Sequence, residues 1–146
     1  MKAEVLLQLD NQLCFPLYAA SRMMTKLYQP LLGKLGITYP QYLIMLVLWE
    51  SDCLTVNEIG KKLMLETNTL TPLLKRMEIK GIVKRTRSIK DERRVIIELT
   101  TQGVSLKKQA LCIPTELLEG MPEQFSLEKI NRIRTDLNNF LKVLGK

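Results

Sequence analysis

The chain contains no histidine, and aromatic residues make up only 5% of its 146 positions. Without imidazole it lacks the commonest general base, so Ser-His-Asp hydrolysis and related His-dependent catalysis are poor candidates. Cysteine is scarce and widely spaced: Cys14, Cys53 and Cys112. An odd count with no Cys-x-x-Cys pair is not a disulfide framework. With no histidine either, it does not supply the usual Cys/His zinc set. No metal site and no cofactor fingerprint is read. No apolar run approaches the roughly 20 residues that cross a bilayer. The start, Met1-Lys2-Ala3-Glu4-Val5, has an acid at once and no cleavage-site pattern, so no signal peptide is expected and the location reads as cytoplasmic.

What is present is charge and helical periodicity. Lys and Arg number 22 against 15 Asp and Glu, a formal net charge of +7. Charge alone fits a solvated basic surface or an anionic partner equally well. The length suits one domain with a sizeable core. Leu13, Leu17, Leu27 and Leu31 predict a long helix from about Leu6 to Leu32, kinked or frayed by Pro16 and interrupted near Pro30. Thr38 predicts a cap for a second helix, with Pro40 in its first turn. Thr55-Val56-Asn57-Glu58 reads as a capping box opening a short helix to Leu63. After the turn Met64-Leu65-Glu66, Asn68 is the expected cap of a helix ending at Gly81. Ile82–Thr86 and Val95–Leu99 read as a two-stranded ribbon with a polar tip between them. A helix from Thr101 to about Leu118, bent or broken by Pro114, precedes a last helix capped by Ser126. That helix carries Ile130, Ile133, Leu137, Phe140, Leu141 and Leu144 on one stripe.

Two short helices joined by a tight turn and followed by a hairpin define a winged helix-turn-helix, whose second helix enters the major groove of double-stranded DNA. Its exposed first half offers Asn68, Thr69 and Thr71 toward base edges and phosphates. Lys75, Arg76 and Lys80 follow where phosphates would lie. The hairpin adds Lys84, Arg85, Arg87, Lys90, Arg93 and Arg94. Arginines there suit a narrow minor groove. Asp91 is expected to hold the Arg93 guanidinium through a bidentate pair. The alternative is a charged tip that merely solubilises an edge ribbon. Its position after a helix-turn-helix favours DNA.

These residues resemble a known family. Leu73-Leu74-Lys75-Arg76-Met77-Glu78, the wing segment Lys90-Asp91-Glu92-Arg93-Arg94 and Leu99-Thr100 are similar to the MarR family of regulators, over nearly the whole chain. Asn11-Gln12-Leu13-Cys14-Phe15, Leu17-Tyr18 and Ile37-Thr38-Tyr39-Pro40-Gln41-Tyr42 are similar to its organic hydroperoxide resistance repressors. The resemblance implies a mainly α fold with a small β-wing. It implies one domain over residues 1–146, with dimerisation helices at about 6–34 and 102–144 and a winged helix-turn-helix at about 38–100. It further implies a homodimer on a pseudo-palindromic operator, and release when organic hydroperoxide oxidises Cys14, with Tyr28 and Tyr39 as partners of that cysteine.

Geometry adds a condition. Cys14 and Tyr28 are fourteen residues apart, so one straight helix would hold them about 21 Å apart. If they meet, Tyr28 comes from the partner subunit, and Tyr39 with it. Cys53 reads as packing. Cys112 does not obviously align with the resolving residue of two-cysteine relatives, so a one-cysteine sensor reversed by a small thiol is expected. The runner-up function is a repressor relieved by a phenolic ligand in a crevice of Met23, Met24, Tyr28, Tyr39, Tyr42 and Met45, and the resemblance also admits a thiol-based global regulator of the same branch. An enzyme using Cys14 as a nucleophile, and a non-specific basic architectural protein, are weaker alternatives.

Overall fold

The computed structural model describes residues 2–145. They form two compact units that divide between Pro114 and Thr115. In the first unit, α1 (Ala3–Leu6) and a 3-10 turn (Leu9–Asn11) precede α2 (Cys14–Gly33). The expected continuous helix from Leu6 is therefore interrupted, and local side chains explain it. The Asn11 amide donates to the Val5 carbonyl at 2.7 Å, and the Gln12 amide to the Leu6 carbonyl at 2.6 Å. These bonds satisfy the end of α1 and compete with helix continuation. Pro16 falls at the third residue of α2, where its missing N–H breaks no internal bond. The helix begins two residues before this proline rather than kinking there. Pro30 lies inside α2 without ending it.

Gly36, at φ +69, turns the chain into α3 (Tyr39–Glu50). Here the capping box is complete: the Gln41 N–H donates to Thr38 Oγ1 and the Thr38 N–H to Gln41 Oε1. Next come β1 (Leu54–Thr55), α4 (Val56–Leu63) and α5 (Thr67–Ile79). At α4, Thr55 Oγ1 accepts the Glu58 N–H and donates to Glu58 Oε1. The α4–α5 turn is tight. A Cβ on Gly60 would sit 2.7 Å from the Leu65 carbonyl oxygen, and Met64 takes a left-handed conformation at φ 56.

Helix α5 starts earlier than expected. Glu66 is its N-cap and makes no side-chain cap bond, which leaves Asn68 at the second helical position and Pro72 at the sixth. Pro72 therefore removes a donor from the helix interior. The Thr71 hydroxyl adds a local bond, donating to the Thr67 carbonyl at 2.8 Å. The helix ends as the sequence suggests, at Gly81 with φ +79. Its last carbonyls accept from Gly81 and Ile82 N–H groups.

The sheet has three strands rather than two. Strands β2 (Val83–Arg87) and β3 (Val95–Leu99) pair antiparallel with Arg85 opposite Ile97, and β1 adds to the other edge of β3 with Leu54 opposite Ile97. One carboxylate fastens this edge: Asp52 Oδ1 accepts from the Cys53 N–H at 2.8 Å and the Leu99 N–H at 3.0 Å. Thr100 then caps α6 (Thr101–Ala110) and donates its hydroxyl to the Gly81 carbonyl. The expected helix to Leu118 is broken after Ala110, and α7 (Ile113–Glu119) restarts with Pro114 as its second residue. Ile44, Met45, Leu48, Ile59, Leu70, Leu74, Met77 and Ile97 form the fully buried centre.

The second unit contains the rest of α7 and α8 (Leu127–Leu144), capped by Ser126. Ile133, Leu137, Phe140 and Leu141 of α8 stay exposed by more than a third of their area. Among the described residues no helix is long and apolar enough to cross a membrane.

Of the glycines, Gly103 has the least room, since a Cβ there would lie 2.1 Å from the Ile82 carbonyl oxygen. Its own carbonyl accepts from the Trp49 indole at 3.0 Å. Gly103→Ala is expected to destabilise by about 1–3 kcal/mol or more, because backbone must move. A lowered urea midpoint is the readout; an unchanged midpoint would contradict the packing described.

Candidate DNA-binding and thiol-sensing sites

The hydrophobic side of α5 is spent on the core through Leu70, Leu74 and Met77. Asn68, Thr69, Lys75 and Arg76 stand exposed on its other faces. Thr71 is half-buried, with its hydroxyl already donating to Thr67. Lys80 is exposed as a residue, but its ammonium donates to the Gly36 carbonyl and to Gln41 Oε1, so it is engaged within the fold where Lys75 and Arg76 stand out from it.

The wing separates into a root and a tip. At the root, the Arg85 N–H donates to Glu78 Oε2 at 3.1 Å, and its guanidinium lies 3.9 Å from Glu78 Oε1. Arg85 is thus half-buried against the end of α5 rather than projecting with the others. At the tip, Lys90, Asp91, Arg93 and Arg94 are exposed. Asp91 organises the tip, but not through the expected bidentate pair. Its Oδ1 accepts the Arg93 backbone N–H at 3.1 Å, and its Oδ2 lies 3.8 Å from the Arg94 guanidinium. Arg87, at the end of β2, donates to the Glu92 carbonyl across the hairpin. The Arg93 guanidinium is left to reach outward.

Cys14 is the first residue of α2 and is exposed. An anion there meets the positive end of the helix. Tyr28, on the same unbroken helix, is about 21 Å further along. Instead Tyr28 meets Tyr39 and Tyr42 of α3, with ring centroids 4.9 and 5.8 Å away. Tyr42 also packs edge-on against Trp49. Burial, and then the neighbouring phenols of Tyr39 and Tyr42, push the Tyr28 hydroxyl up to about 12. Burial raises Tyr39 and Tyr42 as well. The cluster therefore presents neutral O–H donors. Tyr42 as its third member was not singled out as a sensing residue in the sequence; its 42-39 spacing on one helix face was the available signal.

The other thiols differ. Cys53 is exposed rather than packed, and desolvation, then the carboxylates of Asp52 and Glu98, push its thiol up, away from the reactive thiolate. Cys112 is exposed in the turn before α7, with its thiol donating to the Gln109 carbonyl at 3.3 Å. Of the residues expected around a ligand crevice, Met45 is wholly buried, and Tyr42 alone borders an apolar cavity of about 290 Å³ beside Leu46, Trp49, Lys107 and Leu111.

A helix-turn-helix, a basic wing and an exposed helix-terminal thiol define a thiol-bearing winged helix-turn-helix regulator. Comparison with known proteins agrees. The family described as "Transcriptional regulator SarA/Rot" matches residues 26–110. The organic hydroperoxide resistance transcriptional regulator of Bacillus subtilis (strain 168) is 51% identical over 138 residues, 94% of this chain and 92% of the relative. The structure of reduced AbfR bound to DNA superposes with a TM-score of 0.81 at 39% identity, covering 100% of both chains. Disulfide-formed AbfR superposes at 0.65 with 38% identity, over 97% of this chain and 94% of that one. The chain belongs to the MarR-type transcriptional regulators, in the branch that contains the organic hydroperoxide resistance regulators.

The raised phenols carry a pH signature. Between about pH 10, where a free tyrosine ionises, and about pH 12, where Tyr28 does, the unfolded chain releases protons that the native state keeps. Stability is expected to fall as pH rises through that window, with no contribution below it. Tyr28→Phe is expected to lessen the fall between pH 8 and pH 11 in urea titrations; an equal fall would contradict the burial of that hydroxyl.

Proposed function

We propose that this chain is a homodimeric repressor that holds a double-stranded operator while reduced and releases it when an organic hydroperoxide oxidises Cys14. The observation that carries this reading is the pairing of an exposed thiol at the start of α2 with a ready-made cluster of neutral phenols that the same helix cannot bring to it. The thiolate attacks the O–O bond. The sulfur gains one oxygen as sulfenic acid and the peroxide leaves as its alcohol, taking up a proton. Phenol O–H donors stabilise the thiolate before attack. Only the partner subunit's phenols can serve a given Cys14, so the sensor is a property of the dimer.

On DNA, Asn68 and Thr69 read the major groove, with Lys75 and Arg76 on phosphates. Arg87, Lys90, Arg93 and Arg94 follow the minor groove, and Asp91 sets the tip's shape. Arg85 supports the wing from its root. Effector, operator and dimer rest on the relatives; the location proposed for such a regulator is the cytoplasm, and no enzymatic turnover is assigned.

Cys14→Ser is expected to bind operator like the wild type while losing release by cumene hydroperoxide; release that persists would overturn the sensor. Tyr28→Phe should slow thiol oxidation in stopped-flow measurements. Arg93→Ala should weaken operator binding by about 1–3 kcal/mol without changing the melting temperature. Unchanged affinity would sink the wing assignment.

A further inference from the structure

Lys80 stands at the one place where the recognition helix stops and the wing begins. It is the C-cap of α5, directly before Gly81 and the strand β2. Yet its side chain leaves that region altogether. It reaches back 39 and 44 residues in sequence, to Gln41 Oε1 at 3.2 Å and to the Gly36 carbonyl. Gln41 is only 2% exposed, a buried polar side chain in an otherwise apolar core. Its Oε1 has two donors, the Thr38 N–H and the Lys80 ammonium. A bond from an ammonium is stronger than one from a neutral donor, and here it gives a buried oxygen its second donor.

The same turn of α3 carries the phenol cluster. Thr38, Tyr39 and Gln41 are the cap, first and third residues of that helix. Tyr39 touches Tyr28 at 4.9 Å. A displacement of Tyr28 cannot leave Tyr39 in place without opening that ring contact. Tyr39 shares the first turn of α3 with the capping box that holds Gln41, so a shift of that turn's backbone carries both. Gln41 and Gly36 together anchor Lys80.

We propose that Lys80, Gln41 and the Gly36 carbonyl form a latch that transmits the state of the phenol cluster to the junction of recognition helix and wing, making Lys80 a positioning residue for release rather than a phosphate contact. The latch rests on the sensing reading given above and assigns its mechanical route. It asks nothing of Lys80 in contacting DNA. Both terminal structures that read DNA meet at this residue, so one anchor shift re-aims both.

The test compares full-length wild type, Lys80→Met and Lys80→Arg in operator titrations by fluorescence anisotropy, each reduced and after cumene hydroperoxide, with Cys14 oxidation confirmed by mass spectrometry. Lys80→Met keeps the methylene stem and removes the donor. It is expected to bind operator when reduced but to lose less affinity on oxidation, the release factor shrinking at least about fivefold, the low end of ordinary coupling. Lys80→Arg should recover most of the factor. Release of Lys80→Met by the wild-type factor overturns the latch and leaves the sensor standing. A wild type whose Cys14 oxidises without release overturns the sensor and the latch with it. Hydrogen exchange on the wild type decides the matter should Lys80→Met not fold. Amides 37–41 and 79–83 should lose protection together on oxidation, and unchanged protection in either segment overturns the proposal.

Discussion

Helix α2 is a rod, and most of what this molecule can do follows from that. Its backbone hydrogen bonds fix a rise of about 1.5 Å per residue, so the thiol at one end and the phenol near the other are held apart by the structure that displays them. The rod also delivers Tyr28 to the first turn of α3, where Tyr39 and Tyr42 complete a cluster. In the proposed sensor, chemistry at Cys14 therefore belongs to a pair of chains, each of which carries both halves of the site.

Beyond that cluster the fold spends its apolar residues on making α3, α4, α5 and the sheet one body. Leu70, Leu74 and Met77 pack α5 into the same core as α3 and α4. Glu78 ties the wing root to the same helix through two contacts with Arg85. The tip, by contrast, is held by its own short-range bonds, from Asp91 to the Arg93 N–H and from Arg87 to the Glu92 carbonyl. Shape is therefore prepared before DNA arrives, which lowers the ordering cost of binding.

Features set by neighbours in sequence were legible from the sequence. The caps Thr38, Thr55 and Ser126 and the helix stop at Gly81 all fall where local patterns put them. Features set across the chain were not. Strand β1 is two residues long and depends on β3 and on Asp52 reaching Leu99. The start of α5 lies before Asn68 although Glu66 makes no cap bond, so packing rather than capping fixes it. Lys80 and Arg85 read as members of a basic row, because charge is visible in a sequence and its partner is not. Cys14 gained its role from family resemblance; the phenols that give it a chemical reason appear together only in three dimensions.

The absence of histidine acquires a meaning beside the raised phenols. Imidazole is the side chain whose ordinary titration falls between pH 5 and 8, and this chain has none. Its clustered tyrosines hold their protons far into the alkaline range, with Tyr28 at about 12. Ordinary swings in cellular acidity leave this cluster and its hydrogen-bond donors unaltered. The donor side of the proposed sensor is thereby kept constant across the acidity a cell meets, which leaves the sulfur as its variable partner.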